Sequence, residues 1–144
     1  MTHFFIFIFN LINKTIILMS NFFSKYKFIF YLSNFFLIVL YLFPGSLLGC
    51  FFYNDCSLQP QITPDYIVST NHLYAFLLLS TIGFFTFKKW SQFFPLCLYL
   101  ISLSVLLELI HLIMPIRSFE FPDLFGNITG VTIVIIISYY LKKT

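Results

Sequence analysis

Charged residues are scarce in this sequence. Asp, Glu, Lys and Arg make up 9% of its 144 residues, whereas a soluble domain carries about 25%. The chain has too little polar surface to coat a water-soluble globule, so a soluble domain is excluded. The net charge of +3 is spread along the chain, and nothing indicates a nucleic-acid partner. Three cysteines are present, and none of their spacings is typical of a thiolate metal site.

Long apolar runs take the place of the missing charge. Hydrophobic residues make up 60% of the chain, and its mean hydropathy is +0.95. A helix needs about 20 apolar residues to cross a bilayer, with a range of roughly 17 to 25. The pattern predicts an all-α fold, an integral membrane bundle of four transmembrane helices. These helices are expected at residues 28–52, 72–87, 93–114 and 124–141.

The N-terminal segment, residues 1–27, is set apart from this four-helix domain of residues 28–144. Polar residues interrupt its apolar stretches, so no span is predicted there. We interpret it as an interfacial segment, as an uncleaved leader, or as residues upstream of a true start at Met19. An additional span here would move the N-terminus across the membrane. The interrupting residues are Asn10, Asn13 and Lys14.

Basic and acidic residues fall on opposite sides of the four-span topology. All lysines flank the ends that the positive-inside rule places in the cytoplasm, so both termini are predicted to be cytoplasmic. All acidic residues fall on the other side, with Arg117 as the one cation among them. The lysines are Lys14, Lys25, Lys27, Lys88, Lys89, Lys142 and Lys143, and the acidic residues are Asp55, Asp65, Glu108, Glu120 and Asp123.

The cysteines allow several interpretations. Cys50 ends a Leu-Leu-Gly-Cys stretch that resembles a lipoprotein cleavage site, but Pro44 breaks the apolar run before it and three spans follow. Lipidation is therefore not expected. Cys56 falls on the same outer side, where we expect the two residues as free thiols, with a disulfide as the alternative. Cys97 is expected to be a small buried side chain of the third helix.

Polar residues also recur on one face of the third predicted helix. Glu108 lies about six residues inside the outer end, roughly 9 Å deep, where a bare carboxylate is costly. His72 begins the second helix on the same side, and Gly126 and Gly130 form a small-xxx-small pair that favours close helix packing. The face comprises Cys97, Ile101, Ser104, Glu108 and His111. We predict one polar cluster at the outer mouth of the bundle, comprising His72, Glu108, His111, Arg117, Asp123 and Asn127.

Each of these side chains has a functional and a structural interpretation. The planar fork of Arg117 suits bidentate capture of phosphate or carboxylate, or it forms an ion pair with Glu120 or Asp123. Glu108 and His72 are the candidate catalytic residues, as general base or proton carrier, or they join helices. The candidate substrate-binding residues are Arg117, Asp123, Asn127, His111 and Glu120, although Asp123 and Asn127 also suit the start of a helix.

No metal site is predicted. His72, Glu108 and His111 are chemically suited to hold a metal, but no sequence spacing enforces their convergence. No cofactor is predicted either.

The segment from 108 to 130 resembles the signature of the VanZ-like family of small membrane proteins. That signature has a Glu late in one helix, an Arg-Ser-Phe-acidic turn, and an Asp, an Asn and a Gly that open the next helix. The segment at 71–76 looks like the upstream His-x-x-Ala-aromatic element of the family, and the resemblance covers about residues 65–142. Val68 and Ser69 depart from a frequent Asp-Lys pair, and His111 replaces a frequent Gln. The matching residues are Glu108, His111, Pro115, Arg117, Ser118, Phe119, Glu120, Asp123, Asn127 and Gly130.

This resemblance implies a role in the bacterial cell envelope, because the family is named for a member linked to resistance to the glycopeptide teicoplanin. We expect a multi-pass protein of the bacterial inner membrane whose periplasmic polar cluster binds an anionic lipid, an envelope precursor or a partner helix without catalysis. An enzyme acting on a lipid-linked substrate is the first alternative. A small transporter is the second, and it would need a homo-oligomer because four short helices enclose little volume.

Overall fold

The structure is a computed structural model that describes residues 2–114 and 117–143. The regular elements of these residues are all helical, which confirms the all-α class. The helices are α1 (Thr2–Lys25), α2 (Phe28–Leu42), α3 (Leu47–Tyr53), α4 (Thr70–Thr86), α5 (Phe93–Ile110) and α6 (Phe121–Lys143), with single 3-10 turns at Trp90–Gln92 and His111–Ile113.

The predicted first span, residues 28–52, is wrong as a continuous helix. The chain ends α2 at Leu42 and turns by 81° into α3. Pro44 has no backbone N–H and disfavours a helical residue before it, and Phe43 is accordingly extended (φ −70°, ψ 129°). Gly45 then takes a positive φ of 93°, which glycine adopts without strain. We call residues 43–46 the elbow.

The N-terminal segment forms one unbroken helix, α1, and its placement at the membrane interface stays a prediction. Isolated polar residues are tolerated in a helix that exposes them, and Asn10 and Lys14 are both exposed. The stretch Ile6–Lys25 is long and apolar enough to cross a membrane. The C-terminal part of α1 is tied to the bundle, since the Ser20 hydroxyl donates to the Phe85 carbonyl at 3.4 Å.

Three described helical stretches are long and apolar enough to cross a membrane: Ile6–Lys25, Trp90–Ile113 and Phe121–Lys142. The bent pair α2 and α3 makes a fourth if it counts as one span. The 17-residue α4 is shorter than these. These apolar helices are compatible with a membrane protein, and the particular set of four spans stays a prediction.

The core of the bundle lies around α4, which packs most extensively on α6. Gly126 and Gly130 permit this contact, as the small-xxx-small pattern predicts. A Cβ on Gly126 would lie 2.5 Å from the Ser69 carbonyl oxygen, and one on Gly130 would lie 2.5 Å from that of Leu73. The two helices therefore touch backbone to backbone, and their first turns are held side by side.

A disulfide joins Cys50 in α3 to Cys56 in the loop that follows, so the expectation of two free thiols was wrong. Because the Cys50 sulfur is bonded to Cys56, it is not available for a lipid thioether. Next to the disulfide, Ser57 donates its N–H and its hydroxyl to the Asp55 carboxylate at 2.9 and 2.6 Å. These hydrogen bonds lower the pKa of Asp55 below its ordinary value. Cys97 is buried in α5, as expected.

The two ends of the bundle carry different charges. At one end the ammonium groups of Lys88 and Lys142 donate to Asn21 at 2.5 Å and to the Phe87 carbonyl at 3.0 Å. At the other end acidic side chains surround the start of α4 and the end of α5. The polar residues singled out in the sequence all lie at this acidic end.

Candidate functional site

The predicted polar residues lie where four helix ends meet. His72 is in the first turn of α4, Glu108 is in the last turn of α5, and Asp123 and Asn127 are in the first two turns of α6. The end of α2 closes the fourth side through Tyr41. The helices thus bring side chains from distant parts of the sequence to one level of the bundle. We call Tyr41, His72, Glu108, His111, Asp123 and Asn127 the polar cluster.

His72 is the centre of this cluster. It is 5% exposed, and its Nε2 lies 3.3 Å from Oδ2 of Asp123. On the other side of the ring, Nδ1 lies 2.9 Å from the Tyr41 hydroxyl and 3.2 Å from Oδ1 of Asn127. One imidazole therefore joins α4 to both α2 and α6.

Glu108 is fully buried, and its two carboxylate oxygens differ in their partners. Oε1 accepts the backbone N–H of Glu120 at 3.0 Å, which ties α5 to the segment ahead of α6. Oε2 lies 3.4 Å from Nδ1 of His111 and 4.0 Å from Nδ1 of His72, yet it has no hydrogen-bond partner among the described residues. A buried carboxylate oxygen left in this state is costly unless something else binds it.

Tyr41 is part of the cluster although the sequence did not point to it. Its hydroxyl donates to Oδ1 of Asn127 at 2.5 Å, and its backbone carbonyl accepts from Nε2 of His111 at 3.1 Å. The chain has nine tyrosines, and no periodicity distinguishes this one. Its only signal is its place three residues before Pro44, which ends α2.

Arg117 is not in contact with the other candidates. Its Nη2 donates to the carbonyl oxygen of Gly45 in the elbow at 2.5 Å. Among the described residues no carboxylate lies within ion-pair distance of it, so the ion pair with Glu120 or Asp123 is absent there. The Nε of Arg117 is buried and has no hydrogen-bond partner in the described part of the chain. The Glu120 side chain instead accepts the Ser118 hydroxyl at 3.2 Å.

The predicted polar face of α5 holds except at one position. Ser104, Glu108 and His111 are at most 1% exposed, whereas Ile101 is 40% exposed. Leu100, one position earlier, is fully buried in its place. The buried face of α5 therefore includes Leu100 in place of the predicted Ile101.

Two cavities adjoin at the polar cluster. A polar cavity of about 540 Å³ is lined by His72, His111, Arg117, Glu120 and Asp123, among others. A more apolar cavity of about 730 Å³ runs between α2, α3 and α4, where side chains such as Phe36 and Leu78 line it. Both cavities share a polar border of Ser46, Gln59, Gln61, Asn71, His72 and Arg117.

This arrangement offers two kinds of chemistry. The Arg117 guanidinium faces both cavities and suits an anion such as a phosphate. Ligand atoms of His72, Glu108 and Asp123 lie within 4.8 Å of one another, close enough to share one cation, and His72 and Asp123 line the polar cavity. Of the predicted site residues, the side chains of Arg117 and Glu120 thus stay outside the described hydrogen bonds and ion pairs of the polar cluster, but both line the same polar cavity.

No protein-family model, no curated protein and no solved structure matches this chain. The resemblance to the VanZ-like family therefore depends on the residues quoted from the sequence, of which Pro115 lies outside the described residues.

Proposed function

We propose that this chain is a multi-pass protein of the VanZ-like type in the bacterial inner membrane, and that it binds an amphiphile with an anionic head group at the polar cavity. The ligand class is an anionic lipid or a lipid-linked envelope precursor. The polar cavity would face the periplasm, since the lysines gather at the opposite end of the bundle and positive ends stay in the cytoplasm.

The observation that carries this proposal is the state of Arg117. A guanidinium has five N–H donors, and one of its hydrogen bonds goes to the Gly45 carbonyl. Among residues 2–114 and 117–143, the buried Nε has no hydrogen-bond partner and no carboxylate neutralises the charge. A phosphate or carboxylate in the polar cavity would supply both the countercharge and the missing acceptors.

The adjoining apolar cavity supports an amphiphile rather than a small soluble anion. Its volume of about 730 Å³ falls in the range of ligand sites, roughly 300 to 1,000 Å³. It begins at the residues that also border the polar cavity, among them His72 and Arg117. A head group at Arg117 would therefore leave its apolar chain beside Phe36, Leu40 and Leu78.

Lipid binding by the detergent-purified chain tests the proposal. The probe is a fluorescent phosphatidic acid, compared with a diacylglycerol of the same chains. We expect the phosphate-bearing lipid to bind more tightly. The Arg117→Gln substitution should weaken its binding roughly 10- to 100-fold, because hydrogen bonds to charged groups contribute about 1.5–3 kcal/mol. Arg117→Lys keeps the charge but loses the planar two-donor geometry. Its affinity for phosphatidic acid should therefore lie between those of the wild type and of Arg117→Gln.

The matched control is Lys88→Gln, which removes the same charge at the opposite end of the bundle. Lys88 is exposed, so this variant should bind phosphatidic acid as the wild type does. Equal affinity of Arg117→Gln and wild type for phosphatidic acid would show that Arg117 does not hold the head group, and the proposal would fail.

Catalysis on a lipid-linked substrate is the second candidate, and the pair formed by His72 and Asp123 favours it. A carboxylate 3.3 Å from an imidazole nitrogen orients the ring and stabilises its charged form, as a general base requires. If this candidate is correct, phosphate release from a lipid-linked phosphate should disappear in the Glu108→Gln variant while the folded yield is kept. Loss of folded protein instead would assign Glu108 a purely structural role.

A further inference from the structure

The orientation of His72 is fixed by its neighbours. The Asn127 side chain donates its NH₂ to the Ser104 carbonyl at 3.2 Å, which turns its Oδ1 toward Tyr41 and His72. The Tyr41 hydroxyl has a single proton, and that proton lies in the 2.5 Å contact with Oδ1 of Asn127. The described oxygens within hydrogen-bond distance of Nδ1 of His72 are these two, so Nδ1 carries a proton itself. A neutral His72 then has its lone pair on Nε2, which faces the Asp123 carboxylate.

The orientation of His111 follows by the same reasoning. Its Nε2 lies 3.1 Å from the Tyr41 backbone carbonyl, which can only accept a hydrogen bond. The proton is therefore on Nε2, and a neutral His111 has its lone pair on Nδ1. That atom is buried without a hydrogen-bond partner and lies 3.4 Å from Oε2 of Glu108, which is equally without a partner.

In their neutral forms, the two imidazoles thus direct lone pairs at two carboxylates inside the protein. Electron pairs that face each other in this way repel, and a buried carboxylate oxygen has lost its water. A cation between the groups removes both problems. Asp123, which lines the polar cavity beside His72, supplies negative charge next to that cation.

The distances between the groups suit a metal ion better than a hydrogen bond. Ligand atoms bound to a tetrahedral ion at about 2.0–2.1 Å lie roughly 3.3–3.4 Å apart. Nε2 of His72 lies 3.3 Å from Oδ2 of Asp123, and Nδ1 of His111 lies 3.4 Å from Oε2 of Glu108. Both distances are long for charge-assisted hydrogen bonds. Oε2 of Glu108 also lies 4.0 Å from Nδ1 of His72. One ligand atom from each of His72, Glu108 and Asp123 lies within 4.8 Å of the other two.

We propose that His72, Glu108 and Asp123 bind one divalent transition-metal ion, with Zn²⁺ as the ion that their chemistry favours. Imidazole nitrogen and carboxylate oxygen are ordinary zinc ligands, and three protein ligands leave a further position open. Nδ1 of His111, next to the same Glu108 oxygen, is the nearest additional nitrogen for that position. Tyr41 and Asn127 hold the far side of the His72 ring, as outer partners do for metal-bound histidines.

Metal binding by the purified, untagged full-length chain tests this inference, independently of any lipid. After treatment with a chelator and return of Zn²⁺, we expect one ion per chain by mass spectrometry of the metal content. Excess Mg²⁺ should not displace it, since Mg²⁺ prefers oxygen ligands in an octahedral shell. Substitution of His72→Gln or Asp123→Asn should weaken binding by more than about 100-fold, because loss of an outer partner alone costs 10- to 100-fold.

The control is Asp65→Asn, which removes a carboxylate of the same cavity that lies outside the donor set. It should bind Zn²⁺ as the wild type does. Co²⁺ added to the wild type provides a readout that does not depend on the folding of variants, since a site with nitrogen and carboxylate ligands gives visible absorption bands. A colourless Co²⁺ protein, less than one Zn²⁺ per chain, or equal binding by all variants through adventitious surface contacts would each overturn the proposal.

Discussion

Tyr41 holds the polar cluster together from the side of α2. Its hydroxyl contacts His72 of α4 and Asn127 of α6, and its backbone carbonyl accepts from His111 after α5. Its ring also stacks against the His111 ring with centroids 6.0 Å apart. One residue therefore fixes the orientation of two imidazoles and one amide.

The substitution Tyr41→Phe should destabilise the protein by about 1–3 kcal/mol, because it removes the hydroxyl that pairs with the buried side chains of His72 and Asn127. The ring, and with it the stacking on His111, is kept. The thermal midpoint in detergent measures the effect. Tyr66→Phe is the control, since Tyr66 is 90% exposed. If both variants unfold at the temperature of the wild type, the hydroxyl contributes nothing to the fold.

The meeting of His72, Glu108, Asp123 and Asn127 could be predicted because depth and sidedness in the sequence agreed for all of them. The individual contacts could not, since they depend on the rotation of each helix. Arg117 shows the limit most clearly. Its nearest described partner is the Gly45 carbonyl, which a change of chain direction at the elbow places there, and helical periodicity gives no direction for such a turn.

The helix α4 is the element on which the bundle depends, although it is shorter than the candidate spans. It packs against α1, α2, α5 and α6, and its first turn carries His72. Its contact with α6 is the most extensive among the described helix pairs. Gly126 and Gly130 have no side chain to hold the two backbones apart. The position of His72 relative to Asp123 follows from this contact.

Gly130→Ala should therefore be destabilising by about 1–3 kcal/mol, the usual effect of overpacking. The new Cβ would meet backbone atoms, 2.5 Å from the Leu73 oxygen and 2.9 Å from the Leu77 nitrogen. Unfolding in detergent measures the loss.

Gly83→Ala on α4 is the matched control. Its Cβ would meet the side chain of Phe30 at 3.0 Å, and alanine gains about 1 kcal/mol in helix propensity, so the change should be near neutral. Should Gly130→Ala be as stable as Gly83→Ala, the two helices are not packed as closely as described.

The ends of α5 and α6 could be predicted within a few residues, because each helix coincides with one long apolar run. The elbow and α1 could not. A Pro-Gly pair inside an apolar run is compatible with a kinked helix as well as with a sharp turn, and the apolar length of residues 28–52 favoured the former. In α1 the polar side chains at Asn10 and Lys14 suggested a break, but an exposed helix face accommodates them.

The whole molecule is electrically polarised along the bundle. Lys88 and Lys142 lie at one end, and Glu108, Glu120 and Asp123 lie at the other. Composition alone predicted this separation, because the four-span topology assigns every lysine and every acid to a side. The number of crossings could not be predicted, since it depends on whether α1 spans the bilayer.

Reporter fusions determine both unknowns. A fluorescent protein that folds only in the cytoplasm should be bright when fused after Thr144, because the lysine-rich end is expected there. The same reporter before Met1 should be dark if α1 crosses the membrane, and bright if α1 lies on the surface. A dark C-terminal fusion that is active with a periplasmic reporter would contradict the orientation, and with it the periplasmic placement of the polar cavity.

The cross-link between Cys50 and Cys56 adds a step to the biogenesis of this protein. Such bonds form and persist in oxidising compartments, so in the proposed orientation the bridge would close only after the α3 loop had been exported. Until then the loop after α3 has no covalent link to that helix. Cells deficient in thiol oxidation would therefore hold an immature form of the protein, in which Cys50 and Cys56 are not bonded. In that form the loop after α3, which lines both cavities, would lack its covalent link to α3.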